Sequence, residues 1–139
     1  MNEELMKMLS ERLERYPVVF AYLFGSHAAG RAASLSDIDI AVYLEKGVDK
    51  PQRFDLRLRL SSELSSVAGI PADVIVINDS PLSLAYEAIK HGKVLLCKDR
   101  EQRIEVETKI LSRYLDRRYY DRRRAAMILE QAAKGPVGV

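Results

Sequence analysis

Apolar positions along this chain switch repeatedly between helical and strand spacing. Leu5, Met8, Leu9 and Leu13 recur at helical intervals, which predicts an amphipathic helix over residues 2 to about 15, ended by Pro17. Val18 to Phe24 is short, apolar and β-rich, as a buried strand should be. After Gly25-Ser26, the segment His27-Ala28-Ala29 has room for one helical turn before Gly30 stops it, and Arg31 to Leu35 reads as a loop. Strict alternation then returns over Ser36 to Leu44, with Ile38 and Ile40 on one face and Asp37 and Asp39 on the other.

The second half repeats the rhythm. Asp49 can cap a helix with Pro51 in its first turn, Leu56, Leu60, Leu64 and Val67 share a face, and Gly69 ends it. Leu56, Leu58 and Leu60 also alternate, so a strand is the rival at the start, but length, Pro51 and Gly69 favour the helix. Pro71 breaks the chain and Ala72 to Ile77 forms a third strand. Ser80 as cap and Pro81 as first residue begin another helix, with Leu82, Ala85, Tyr86 and Ile89 as its apolar face and Gly92 as its end. Val94 to Cys97 is a fourth strand. Asp99 and Gln102 resemble a capping box for a long helix to about Ala133, whose apolar side is Ile104, Thr108, Leu111, Leu115, Tyr119, Ala126 and Leu129. The expected fold class is α/β, a small mixed sheet with helices packed on it. One domain over residues 1–134 is expected, with 135–139 as a flexible tail.

Composition narrows the setting. Net charge is +2 over 139 residues, so global charge does not argue for nucleic acid. No apolar run approaches a membrane span, and the acidic start Met1-Asn2-Glu3-Glu4 is unlike a signal peptide. Cys97 is the single cysteine, which excludes an intrachain disulfide and a Cys-rich zinc site and fits a reducing cytoplasm. Its apolar neighbours make it an expected core residue.

The chemistry concentrates between residues 24 and 40. Two carboxylates held side by side on a strand repel each other unless a cation lies between them. Hard oxygen ligands of this kind suit Mg²⁺. Gly25 lets the backbone approach a phosphate, and Ser26 offers a hydroxyl and an amide at an expected helix start. Each piece alone has a plain alternative. A Gly-Ser pair after a strand is a turn, and an Asp-x-Asp is a solvated face. Gly-Ser, ten residues, then Asp-x-Asp arises by chance in about one chain in a thousand of this length.

Gly25-Ser26, Asp37 and Asp39 resemble the signature of the nucleotidyltransferase superfamily with a polymerase-beta-like palm. Leu23-Phe24-Gly25-Ser26 and Gly30-Arg31, running to Ser36-Asp37-Ile38-Asp39-Ile40, resemble more specifically the minimal nucleotidyltransferases, the MNT-type antitoxins paired with HEPN-domain ribonuclease toxins. The resemblance covers Leu23 to Val42 in detail. His27 departs from it, standing where many relatives carry Arg, and neutral imidazole is not a guanidinium fork.

The resemblance implies adenylyl transfer from ATP. Asp37 and Asp39 would share two Mg²⁺ ions, and Asp73 would be the third ligand, placed on the neighbouring strand. The plain reading of Asp73 is a strand-end residue facing water. Asp79, past the strand, is a second choice. Gly25, Ser26 and Arg31 would hold the nucleotide's phosphates. The sheet, helices and site consume nearly the whole chain, which leaves no second domain for a small acceptor. The implied acceptor is a hydroxyl, a tyrosine, on the partner HEPN toxin. The rivals are an antitoxin that acts by occlusion alone and a stand-alone transferase acting on a small acceptor.

One stretch remains. Arg113, Arg117, Arg118, Arg122, Arg123 and Arg124 stand against Asp116 and Asp121, with Tyr114, Tyr119 and Tyr120 interleaved. Arginine and tyrosine are enriched at protein interfaces and also suit RNA. A solvated helix whose tyrosines pack on the sheet is the plain alternative.

Overall fold

A computed structural model describes residues 3–25 and 37–134. Its sheet is built around β1 (Val18–Phe24), the most hydrophobic strand, in which six of seven residues are buried. β2 (Ile38–Leu44) lies antiparallel to it on one side and β4 (Lys93–Cys97) antiparallel on the other. β3 (Ala72–Val76) joins β2 in parallel, giving the order β3-β2-β1-β4. A parallel pair needs a long crossover. Here it is α2 (Lys50–Ala68).

Local signals fix the ends of α2. Asp49 accepts the amide of Gln52 at 2.9 Å, and Gln52 returns a bond to the Asp49 amide, which completes a capping box. Gly69 ends the helix at φ +73°, a conformation that suits glycine. The strand rival at residues 56–60 is excluded.

Side-chain alternation divides the core in two. On one face, Ile38, Ile40, Val42 and Val74 pack with Leu9 and Leu13 of α1 (Glu3–Leu13) and with Leu60 and Leu64 of α2. These four helix leucines are completely buried, a contribution of roughly 1.5–3 kcal/mol each. The hydroxyl of Tyr16 donates to Glu63, and Arg12 pairs with Glu63 at 3.1 Å, tying α1 to α2. On the other face, Phe20, Tyr22, Ala41 and Ile75 meet Ala85 and Ala88 of α3 (Leu82–His91), with Val106 and Ile110 of α4 (Arg100–Ala133) against them. Among the described residues, no helix is long and apolar enough to cross a membrane.

Three sequence expectations need correction. Ser80 does not cap α3; Pro81 is the cap residue, and the Ser80 hydroxyl bonds the Ile77 carbonyl of a short 3-10 turn (Ile77–Asp79) instead. Cys97 is exposed, because it lies at the end of an edge strand. The third concerns α4. Its packed side is Val106, Ile110 and Tyr114, not the expected stripe. Tyr114 stacks on Tyr86 with ring centres 3.6 Å apart, and the buried Tyr22 hydroxyl donates to Glu107. These two contacts set the helix's rotation. They leave Ile104, Leu115, Tyr119 and Leu129 between 47% and 70% exposed. Burial, together with that bond to Glu107, holds the Tyr22 phenol well above its ordinary pKa.

The outer edge of β3 is pinned by side chains of α2. The Ser61 hydroxyl donates to the Ala72 carbonyl at 2.6 Å, and Arg57 Nε donates to the Val74 carbonyl at 2.8 Å. The Ala72 amide donates to Ser65 Oγ at 2.8 Å. These bonds close an otherwise open edge and hold the backbone on both sides of Asp73. A Ser61→Ala/Arg57→Ala protein should lose about 1–3 kcal/mol of stability, read as a lower midpoint in urea with an unchanged slope.

Candidate active site

The functional carboxylates enter the site through strand register. Asp39 of β2 and Asp73 of β3 are direct partners across the parallel pair. Their neighbours Ile38, Ile40, Ala72 and Val74 all point into the first core, so both carboxylates lie on the opposite face. Strands of a sheet are about 4.8 Å apart. Two unit charges near that separation repel by roughly 1–3 kcal/mol, depending on how much water screens them. Asp39 is half-buried and Asp73 exposed, so the pair lies at the open margin of the sheet rather than beneath α3 and α4.

Asp37 precedes β2 by one residue and is exposed. The next amide, Ile38 N–H, donates to the Pro71 carbonyl at 2.9 Å. That bond ties the start of β2 to the start of β3. Among the described residues, no group of three or more His, Cys, Asp or Glu side chains is gathered closely enough to hold a metal ion. Asp39 and Asp73 are thus brought side by side, and Asp37 stands at the head of the same strand.

Gly25 has a role that the sequence did not show. Phe24 pairs with Asp39 across the antiparallel β1–β2 ladder, so the chain leaving β1 passes over the Asp39 carboxylate. Gly25 turns there at φ +79°. A Cβ on Gly25 would sit 2.4 Å from Asp39 Oδ2 and 3.2 Å from its carboxyl carbon. No side chain fits without moving the carboxylate. The signal was present as a glycine directly after a strand, but its contact depends on the β1–β2 register, which a single sequence does not reveal. Ser26, His27 and Arg31 lie outside the described residues.

Asp79 is engaged away from the carboxylate pair. It lies in the 3-10 turn beyond the far end of β3 and takes both oxygens to Arg53, each at 2.8 Å. The hydrogen bond from Arg53 holds its carboxyl below the ordinary aspartate pKa. Arg53 and Asp79 line a cleft of about 250 Å³ with Lys50, Phe54, Arg57 and Leu84, at the end of β3 opposite Asp73. The cleft and the carboxylate pair are therefore separate features.

A mixed four-stranded sheet carrying paired aspartates at its margin, entered through a glycine turn, is the arrangement of a nucleotidyltransferase palm. The family model for polymerase beta nucleotidyltransferases matches residues 7–101, and the chain belongs to that family. The matched span holds Gly25, Asp37, Asp39 and Asp73 and stops as α4 begins.

Particular relatives refine the likeness. The protein adenylyltransferase MntA of Shewanella oneidensis is 30% identical over 96 residues, which are 68% of this chain and 65% of that protein. The match therefore spans just under two thirds of the relative's length. A crystal structure of a toxin–antitoxin with AMP-PNP contains a chain 25% identical to this one, with a TM-score of 0.69 and coverage of 95% of this chain and 99% of that one. A structure of a tri-AMPylated HEPN toxin from the same organism with its MNT antitoxin matches at 20% identity, covering 91% of this chain and 98% of that one. Its TM-score of 0.61 shows a shared fold.

Proposed function

We propose that this protein is an antitoxin that transfers AMP from ATP to a hydroxyl of a partner HEPN toxin and so silences it. The observation that carries the reading is the register pair Asp39–Asp73 on one sheet face, with Gly25 packed on Asp39, in a chain of the nucleotidyltransferase family. Similarity to a protein adenylyltransferase supports AMP as the group transferred, and similarity to a toxin–antitoxin chain solved with AMP-PNP supports ATP and a toxin partner.

The donor set fits a divalent cation. It consists of carboxylate oxygens, and the Asp39–Asp73 repulsion is relieved by a cation shared between them. Asp37, Asp39 and Asp73 would hold two Mg²⁺ ions, which when bound supply neutralisation of phosphate charge. The remaining work belongs to the chain. Gly25 and Ser26 would cradle the terminal phosphates, and Arg31 would be their nearest cation. The acceptor, a tyrosine hydroxyl in this reading, attacks the α-phosphorus. A new O–P bond forms, the bond to the bridging oxygen breaks, and pyrophosphate leaves with its electron pair. Asp73, exposed at the margin where a macromolecular acceptor can reach it, takes the hydroxyl proton.

The test is incubation with ATP labelled in its adenine, Mg²⁺ and the cognate HEPN protein. Label on that protein, with loss of its ribonuclease activity, is expected. Inhibition without label would replace transfer by occlusion. Label on a small molecule in the absence of the toxin would replace the protein acceptor.

A further inference from the structure

The long helix α4 carries its main apolar stripe on the side turned away from the fold. Val106, Ile110 and Tyr114 form the packed side. Ile104, Leu111, Leu115, Tyr119, Ala126 and Leu129 follow one another at intervals of three, four or seven, on a face turned about 120° from it. From Leu115 to Ala133 every residue of α4 is exposed, and Leu115, Tyr119 and Leu129 are 57%, 58% and 70% exposed. A solvated helix has no use for a stripe at this spacing, whereas a second helix laid along it does.

We propose that this stripe is a docking seam for an amphipathic helix with acidic flanks on the partner protein. The charges choose the occupant. Arg118 and Arg123 flank the seam on its two sides, Arg123 donating to the Tyr119 hydroxyl at 3.4 Å, while Arg122 stands within it between Tyr119 and Ala126; Arg113 to Arg124 holds six arginines against Asp116 and Asp121. A second copy of this helix would bring arginine against arginine, whether it ran parallel or antiparallel about the middle of the stretch. An acid-flanked helix removes that conflict and pairs the rim. An apolar and aromatic centre flanked by arginine is the composition of a protein interface. The partner's identity as the HEPN toxin rests on the function proposed above; the seam itself rests on α4.

The experiment uses the full chain and the cognate HEPN protein. One variant disrupts the seam (Leu115→Asp/Tyr119→Ser), one reverses its rim (Arg118→Glu/Arg123→Glu), and a control alters exposed residues elsewhere on the helix (Tyr120→Ser/Met127→Ser). All these positions are exposed, so melting temperatures should stay near wild type. Seam and rim variants should bind the HEPN protein at least tenfold more weakly by calorimetry, and the control should bind as wild type does. Wild-type binding should weaken with added salt, and binding by the rim variant should respond less. Unchanged binding by the seam variant would overturn the seam while leaving AMP transfer standing. Capture without AMP transfer would overturn the enzymatic reading while leaving the seam. Self-association of wild type that the seam variant abolishes would make a second copy the occupant. Retention of a single-stranded RNA, lost in the rim variant with HEPN binding intact, would make it RNA. Either result overturns the proposal.

Discussion

An Asp39→Asn protein should keep its fold and lose AMP transfer by on the order of a hundredfold or more. The substitution preserves shape and removes one charge from the pair formed with Asp73 across the β2–β3 register. The loss should fall on turnover with ATP saturating, because the carboxylate serves the reacting centre rather than the adenine. A second measurement separates ligand loss from misfolding. Mg²⁺ should raise the melting temperature of the wild type, since a cation that binds only the folded state stabilises it, and should raise that of Asp39→Asn less. Wild-type turnover by the variant would remove Asp39 from the site. Asp73→Ala should be nearly as severe. If it is not, the third ligand is another group; Asp79 is next in line and would have to leave its paired contact with Arg53.

Gly25→Val should damage both stability and activity. Two costs combine. A β-branched residue at φ +79° is strained by about 1–2 kcal/mol. Its Cβ would also overlap Asp39 Oδ2 at 2.4 Å, and forced repacking of that kind costs roughly 1–3 kcal/mol. The melting temperature should fall by roughly 10 °C. Transfer should fall further than stability alone dictates, because the group displaced is the Asp39 carboxylate. Gly47→Val is the control: nothing lies within 4 Å of a Cβ there, and both measurements should stay near wild type. Equal turnover in Gly25→Val and wild type would show that the turn neither shapes Asp39 nor admits phosphate.

The sequence made some features legible for identifiable reasons. β1 was visible because seven consecutive apolar residues between Pro17 and Gly25 have no better solution than burial. Both ends of α2 were visible because Asp49, Pro51 and Gly69 are local signals whose chemistry needs no distant partner. The site's outline was visible because a glycine turn and alternating aspartates carry their spacing within twenty residues. What could not be read is what depends on contacts between distant segments. The in-register placement of Asp73 requires the β2–β3 pairing. The contact of Gly25 with Asp39 requires the β1–β2 pairing. The rotation of α4 is set by Tyr114 on Tyr86 and Glu107 under Tyr22, two polar or aromatic contacts that outweigh a hydrophobic count. Cys97 looked interior from its neighbours alone, and only the order of the strands places it on an edge.

The bare outer half of α4 also has a thermodynamic consequence. A helix stabilised by no tertiary burial is marginal in water, even when it continues a well-anchored one. Backbone amides beyond Tyr114 should therefore exchange with deuterium through local fraying, far faster than those of β1, which open only with the whole molecule. A partner laid along that segment would slow this exchange without needing to change the sheet. Protection beyond Tyr114 would thus report occupancy of the helix, independently of whether any phosphate bond has been made or broken.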